Sequence, residues 1–172
     1  PCRLCGFFAT EDLCEICADD SRAQEMLCVV EQPTDILPLE KTSAYHGRYH
    51  SVGGRISPLD RVAPEDLRIA ALVRRVETEA PQEIIFALAA DVEGEATTHY
   101  LVDLLQKYPV SLTRIAHALP AGGGLESADA LNLSTALAAR QNLSADSRLR
   151  GFSCTLPTCP HHPRKYPHRT RH

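Results

Sequence analysis

Four cysteines in the first seventeen residues limit what this chain can fold into more than any other feature. Cys2-x2-Cys5 is followed, after eight residues, by Cys14-x2-Cys17. Each CxxC turn points two thiolates at one ion, and two such turns complete a tetrahedron around Zn2+. Gly6, directly after Cys5, supplies the unhindered turn such a knuckle needs. All four corners are cysteine, so no corner is open for water. A closed site of this kind stabilises a fold and activates no nucleophile. The pattern therefore predicts a structural C4 zinc finger over residues 1–26, with Cys2, Cys5, Cys14 and Cys17 as ligands. The alternatives are a redox CxxC, which needs only one pair, or cysteines that merely fill a core. Cys28 lies in an apolar run and is read as a core residue.

The chain has 172 residues, 44% of them hydrophobic, with no Trp, five Tyr and four Phe. Its core must then be built mainly from Leu, Val, Ile and Ala. No apolar run approaches the ~18 residues of a bilayer-spanning helix, and no signal peptide opens the chain. The expectation is a cytoplasmic protein with no membrane segment, where clustered cysteines are metal ligands or redox groups rather than disulfides. A knuckle at the very start, without an initiator Met, is read as a chain cut from something longer and lacking an N-terminal domain. The net charge is −4, but residues 148–172 hold six basic residues and no acid. The other 147 residues carry 12 basic against 22 acidic side chains. Such an acidic body is not expected to wrap nucleic acid with its whole surface, so any such contact must be local, borne by the tail or carried by a missing part.

Residues 27–118 alternate strand and helix signals. Leu27–Val30, Glu83–Leu88 and Val110–Ala116 read as buried strands. Thr34–Lys41 reads as a short helix. A helix is expected from Pro64, with Pro at its first position and acids in its first turn, continuing through Ile69, Leu72, Val73 and Val76 at helical spacing. Gly94–Tyr108 reads as another helix, with Tyr100, Leu101 and Leu104 facing inward. The alternation predicts an α/β fold with a parallel sheet and flanking helices. Residues 119–143 form a Gly-rich loop and an Ala/Leu helix. Residues 144–172 read as a basic, disordered tail, in which Cys154, Cys159, His161 and His162 fit no standard metal spacing.

Glu31 closes the first strand, and Asp91, Glu93 and Glu95 follow the second. In a parallel sheet both groups reach the carboxyl edge, where open α/β sheets hold their ligands. Glu31, Asp91 and Glu93 form a candidate Mg2+ or partner-binding cluster, since Mg2+ prefers carboxylate oxygen and water. The plainer reading is acids at a helix start, where the dipole favours them. Gly122-Gly123-Gly124 has no Lys after it and is read as a turn rather than a phosphate loop. His46 and His50 are placed in a loop around Tyr49-His50, and they and His117 are read as packing and hydrogen-bonding groups.

Together these segments resemble the RecR family of bacterial recombination mediators. The resemblance rests on Tyr49-His50-Ser51-Val52-Gly53-Gly54-Arg55-Ile56-Ser57-Pro58-Leu59-Asp60 with Pro64-Glu65-Asp66-Leu67, on Leu27–Glu31, on Glu93–Thr97, and on Thr113–Pro120 with Gly122-Gly123, Leu125-Glu126 and Ala128-Asp129. It runs from about Cys2 to Arg140. It implies a zinc finger followed by a Toprim domain, here residues 27–118, and a DNA-repair role at the nucleoid. It further implies partnership with RecO and RecF on single-stranded or gapped DNA, assistance to RecA loading, and a homo-oligomeric ring, a tetramer, that clamps DNA without catalysis. The family's N-terminal helix-hairpin-helix region has no counterpart here. Ser51-Val52 and Ala118 depart from the family pattern. Asp91-x-Glu93 departs from the Asp-x-Asp of catalytic Toprim enzymes, so the expectation is no enzyme. The alternative is a Mg2+-dependent Toprim phosphoryl-transfer enzyme of the nuclease type.

Overall fold

The structure, a computed structural model, describes residues 1–116 and 130–143. The triple-glycine turn, His117, and the tail with its cysteines and histidines lie outside the described residues. Among the described residues, five strands form one sheet: β1 (Ala23–Val30), β2 (Gly47–Ser51), β3 (Glu83–Ala87), β4 (Ser111–Arg114) and β5 (Gln141–Asn142), in the order β2-β1-β3-β4-β5. The first four strands run parallel, and β5 adds an antiparallel edge. Among the described residues, five α-helices accompany the sheet: α1 (Glu15–Ala18), α2 (Ile36–Lys41), α3 (Ile69–Glu79), α4 (Val92–Leu105) and α5 (Ala130–Ala138).

Alternation along each strand explains the apolar runs. Leu27 and Val29 of β1, with Ile84 and Phe86 of β3, face a core shared with Leu72 and Val76 of α3 and Leu101 and Leu105 of α4. Cys28, Val30, Ile85 and Ala87 point the other way, onto Ile36 and Leu39 of α2 and Leu133 and Leu137 of α5. Both sheet faces are therefore dry, as parallel sheets require. The parallel α/β expectation is met, and Cys28 is fully buried in the core as expected. No helix among the described residues is long and apolar enough to cross a membrane.

Three expectations need correction. First, the helix expected from Pro64 is two pieces. A 3-10 turn (Pro64–Asp66) is closed by the Ala63 N–H donating to the Asp66 carboxylate at 2.9 Å. Leu67 is then extended, and the Arg68 N–H bonds the Val52 carbonyl at 2.8 Å before α3 starts. Second, Tyr100 is 40% exposed. The buried stripe of α4 runs through Gly94, Thr97, Thr98, Leu101, Val102 and Leu105. The two threonines can be buried because each hydroxyl donates to the carbonyl one turn back, Glu93 and Gly94 respectively. Third, the Tyr49-His50 segment is not a loop but strand β2, buried along its whole length.

That strand is a sheet edge, and the cysteine knuckle covers it. The Ser51 N–H donates to the Cys5 carbonyl at 2.8 Å, and α1 packs on β2. Arg68 reaches back to the knuckle, its Nη2 donating to the carbonyls of Arg3 at 3.2 Å and Leu4 at 3.4 Å. Gly6 has φ +82°, a turn that favours glycine, and a Cβ there would stand 2.4 Å from the Arg68 guanidinium, which would have to shift.

Candidate metal centre and acidic edge

The knuckle brings its four cysteines to one point. All four are buried, and their sulfurs lie within 4.8 Å of one another. A tetrahedron with ~2.3 Å Zn–S bonds sets sulfurs ~3.8 Å apart, and Cys5 and Cys14 sulfurs stand at 3.5 Å. The turns also aim backbone donors at sulfur: the Phe7 N–H meets Cys5 Sγ and the Cys17 N–H meets Cys14 Sγ, both at 3.4 Å. The donor set fits a zinc ion in number, spacing and chemistry. Without a cation the thiols must share protons. A hydrogen bond from Cys5 lowers Cys17 to about 6 and, with burial, drives Cys5 far up. A divalent cation is what allows all four to be thiolates together.

The carboxyl edge of the sheet is built differently. The chain leaves β1 at Glu31, whose carbonyl accepts the N–H groups of Gly53 at 2.8 Å and Gly54 at 2.9 Å. Gly53 and Gly54 have φ of +82° and +146°, a turn that favours glycine and swings Arg55 over the edge. There the Arg55 guanidinium pairs with Asp91 through Nη1 and with Glu93 through Nε at 3.1 Å. Ser57 donates its hydroxyl to the other Glu93 oxygen at 2.5 Å. Asp91 also caps α4, accepting the Gly94 N–H at 2.8 Å. Glu95 pairs with Arg114 of β4. Glu31 takes a different partner, the Ala89 N–H at 2.9 Å.

The three predicted acids thus reach the same edge, but they do not converge as ligands. Among the described residues, the four cysteines are the only group of three or more potential ligands that meet at one point. Their electrostatics also diverge. Burial raises the Glu31 carboxyl. Asp91 is held low: burial opposes its charge, but the Gly94 N–H and the Arg55 guanidinium outweigh it. Arg55 was not singled out in the sequence, although its place after a Gly-Gly turn at a strand end was a usable signal. His50 is fully buried in β2, with Nε2 3.0 Å from the Arg68 carbonyl, and burial lowers it to about 4. His46 is exposed.

Gly94 fixes the geometry of this edge. A Cβ at Gly94 would lie 2.0 Å from the Ala89 carbonyl oxygen. The start of α4 therefore packs backbone to backbone against the turn leaving β3, and that contact sets where Asp91, Glu93 and Glu95 stand.

Comparison with known proteins agrees with both regions. Residues 1–19 match the family model of the RecR four-cysteine zinc finger domain, and residues 25–116 match the Toprim domain. The chain is 48% identical over 143 residues to Recombination protein RecR of Synechococcus elongatus, covering 83% of this chain and 71% of that protein. It is 46% identical over 142 residues to the protein of the same name from Acidothermus cellulolyticus, covering 83% and 71%. It is 46% identical over 140 residues to that of Bifidobacterium longum, covering 81% and 70%. A four-cysteine finger joined to a Toprim sheet, at this identity over this share of both chains, makes the chain a member of the RecR family.

Proposed function

We propose that this chain is the zinc-stapled Toprim body of a recombinational-repair mediator. It acts with RecO and RecF on gapped or single-stranded DNA, helps RecA load, and works as a non-enzymatic clamp assembled as a ring of four copies. The observation that carries this reading is the joint match to the RecR zinc finger and the Toprim domain, in relatives named recombination protein. The reading includes four divisions: a finger over 1–26, a Toprim domain over 27–118, a loop and helix over 119–143, and a basic tail over 144–172. Cys2, Cys5, Cys14 and Cys17 hold a structural Zn2+, supported by their convergence in a buried cluster. The ion ties the knuckle to the β2 edge of the sheet.

Glu31, Asp91 and Glu93 are read as a partner-facing edge. The support is that Arg55 already balances two of the three acids, which gives the edge a fixed pattern of charge. The test combines the protein with RecO, RecF and gapped DNA coated with single-strand-binding protein. Faster RecA loading is expected, and no change would remove the proposal. The rival Mg2+-dependent nuclease draws on Glu31, Asp91 and Glu93 at the carboxyl edge. It requires plasmid nicking that depends on Mg2+ and is lost in Glu31→Gln.

A further inference from the structure

A zinc ion held by four thiolates keeps a net charge of −2. The four cysteines are at most 4% exposed, and buried excess charge is costly unless something nearby offsets it. Two backbone N–H groups contribute dipoles to two of the sulfurs. A full positive charge comes from outside the knuckle. Arg75, on α3, has a side chain only 3% exposed. Its Nη1 donates to the Tyr49 carbonyl at 2.5 Å, and its Nε donates to Glu79, whose side chain is the more exposed of the pair at 21%. Its Nη2 is buried and has no hydrogen-bond partner.

The location of this group is informative. Tyr49 and Ser51 are two residues apart in β2, so their backbone groups point to the same side of the strand. Arg75 takes the Tyr49 carbonyl and Cys5 takes the Ser51 N–H, and α1, which carries Cys17, packs on β2. The guanidinium and the thiolate cluster therefore sit side by side on one sheet edge. No sulfur is hydrogen-bonded to Nη2, so the guanidinium acts as a charge through space. Arg68, which also reaches the knuckle, is occupied by the carbonyls of Arg3 and Leu4.

We infer that Arg75 is the counter-charge of the four-cysteine zinc site, a positioning residue of the Toprim unit that strengthens metal binding in the finger. This rests on the reading of the cysteines as zinc ligands. It also gives a physical reason for a fully buried arginine on an otherwise apolar helix face, and it links metal affinity to docking of the finger on the sheet.

The test is zinc competition against a chromophoric chelator on the whole chain, comparing wild type, Arg75→Met and Arg75→Lys. The Co2+-substituted forms report through their sulfur-to-metal charge-transfer band whether all four thiolates still bind. Arg75→Met is expected to weaken zinc by about 10–100-fold, the range typical of outer-shell partners. Arg75→Lys, which keeps the charge but loses the fork on Tyr49, is expected to stay close to wild type. Unchanged affinity in Arg75→Met overturns the inference. So does a loss in Arg75→Lys as large as that in Arg75→Met, which would assign the effect to the Tyr49 bond. If Arg75→Met does not fold, Arg75→Gln takes its place as the uncharged variant and is read against Arg75→Lys in the same way. A wild-type chain that binds no zinc removes the four-cysteine reading itself, and the inference with it.

Discussion

The knuckle and the carboxyl edge both gather groups that can carry negative charge, and the fold treats them in opposite ways. In the knuckle, four thiols meet at one buried point and hydrogen-bond to backbone N–H groups and to one another. At the edge, each acid already has a partner: Arg55 for Asp91 and Glu93, Arg114 for Glu95, and the Ala89 N–H for Glu31. The first arrangement is incomplete without an external cation. The second is electrostatically closed by the chain itself. A cluster of ligand-type residues becomes a metal site only where the surrounding fold withholds its own counter-ions from direct contact.

The contrast can be broken most forcefully at Cys14. Cys14→Ser removes one of four ligands and should abolish stoichiometric zinc, with a large fall in thermal stability as the β2 edge loses its cover. Zinc analysis and a melting curve check this, and a folded variant with full zinc would contradict it. Gly94→Ala is the next largest effect. Its new Cβ has no room against the Ala89 carbonyl, and a loss of about 3 kcal/mol is expected in denaturant unfolding. A neutral result would mean that backbone contact does not fix the edge.

Asp91→Ala removes a helix cap and one arm of the Arg55 clamp, and should cost about 1 kcal/mol. Glu31→Gln should have the smallest effect and the opposite sign. Burial disfavours its charge, and a Gln oxygen can still accept the Ala89 N–H. Stability at neutral pH should hold or rise slightly, and a marked loss would mean that the Glu31 charge is needed.

The same difference appears on acidification. Asp91 is held below its ordinary value, and so is Glu83, chiefly by its hydrogen bond from Arg140. Each contributes stability that is present above the unfolded pKa of ~4 and lost as pH falls through the folded value. Glu31 is raised, so its contribution runs the other way: full below ~4 and lost as pH rises through its folded value. The fall in stability from neutral to acid pH should therefore be steeper in Glu31→Gln, which lacks the opposing contribution, and shallower in Asp91→Asn. Denaturant unfolding across that pH range checks this, and identical profiles for the two variants would contradict the assignment.

What the sequence made legible follows from the same physics. Strands β1, β3 and β4 were visible because both of their faces are buried, which forces runs such as Leu27–Val30 and Ile84–Ala87. Strand β2 was hidden because its residues, Gly47-Arg48-Tyr49-His50-Ser51, look like a polar loop; their burial depends on a knuckle some forty residues earlier. The break at Leu67 was hidden for a similar reason, since the Val52 carbonyl that diverts the chain is tertiary. The cysteine site was readable because its spacing is local. The Arg55 clamp was not, because Asp91 lies 36 residues away. Arg75 was hidden in plain view, a charge between Leu72 and Val76 on a helix whose apolar pattern was otherwise clear.

The most direct test of the contrast is the metal content of the whole chain after equilibrium dialysis against buffer holding both Zn2+ and millimolar Mg2+. The account predicts about one zinc per chain, as one four-cysteine site allows, and no magnesium above the buffer level. Zinc well below one per chain, or a bound Mg2+ that Glu31→Gln removes, would contradict it.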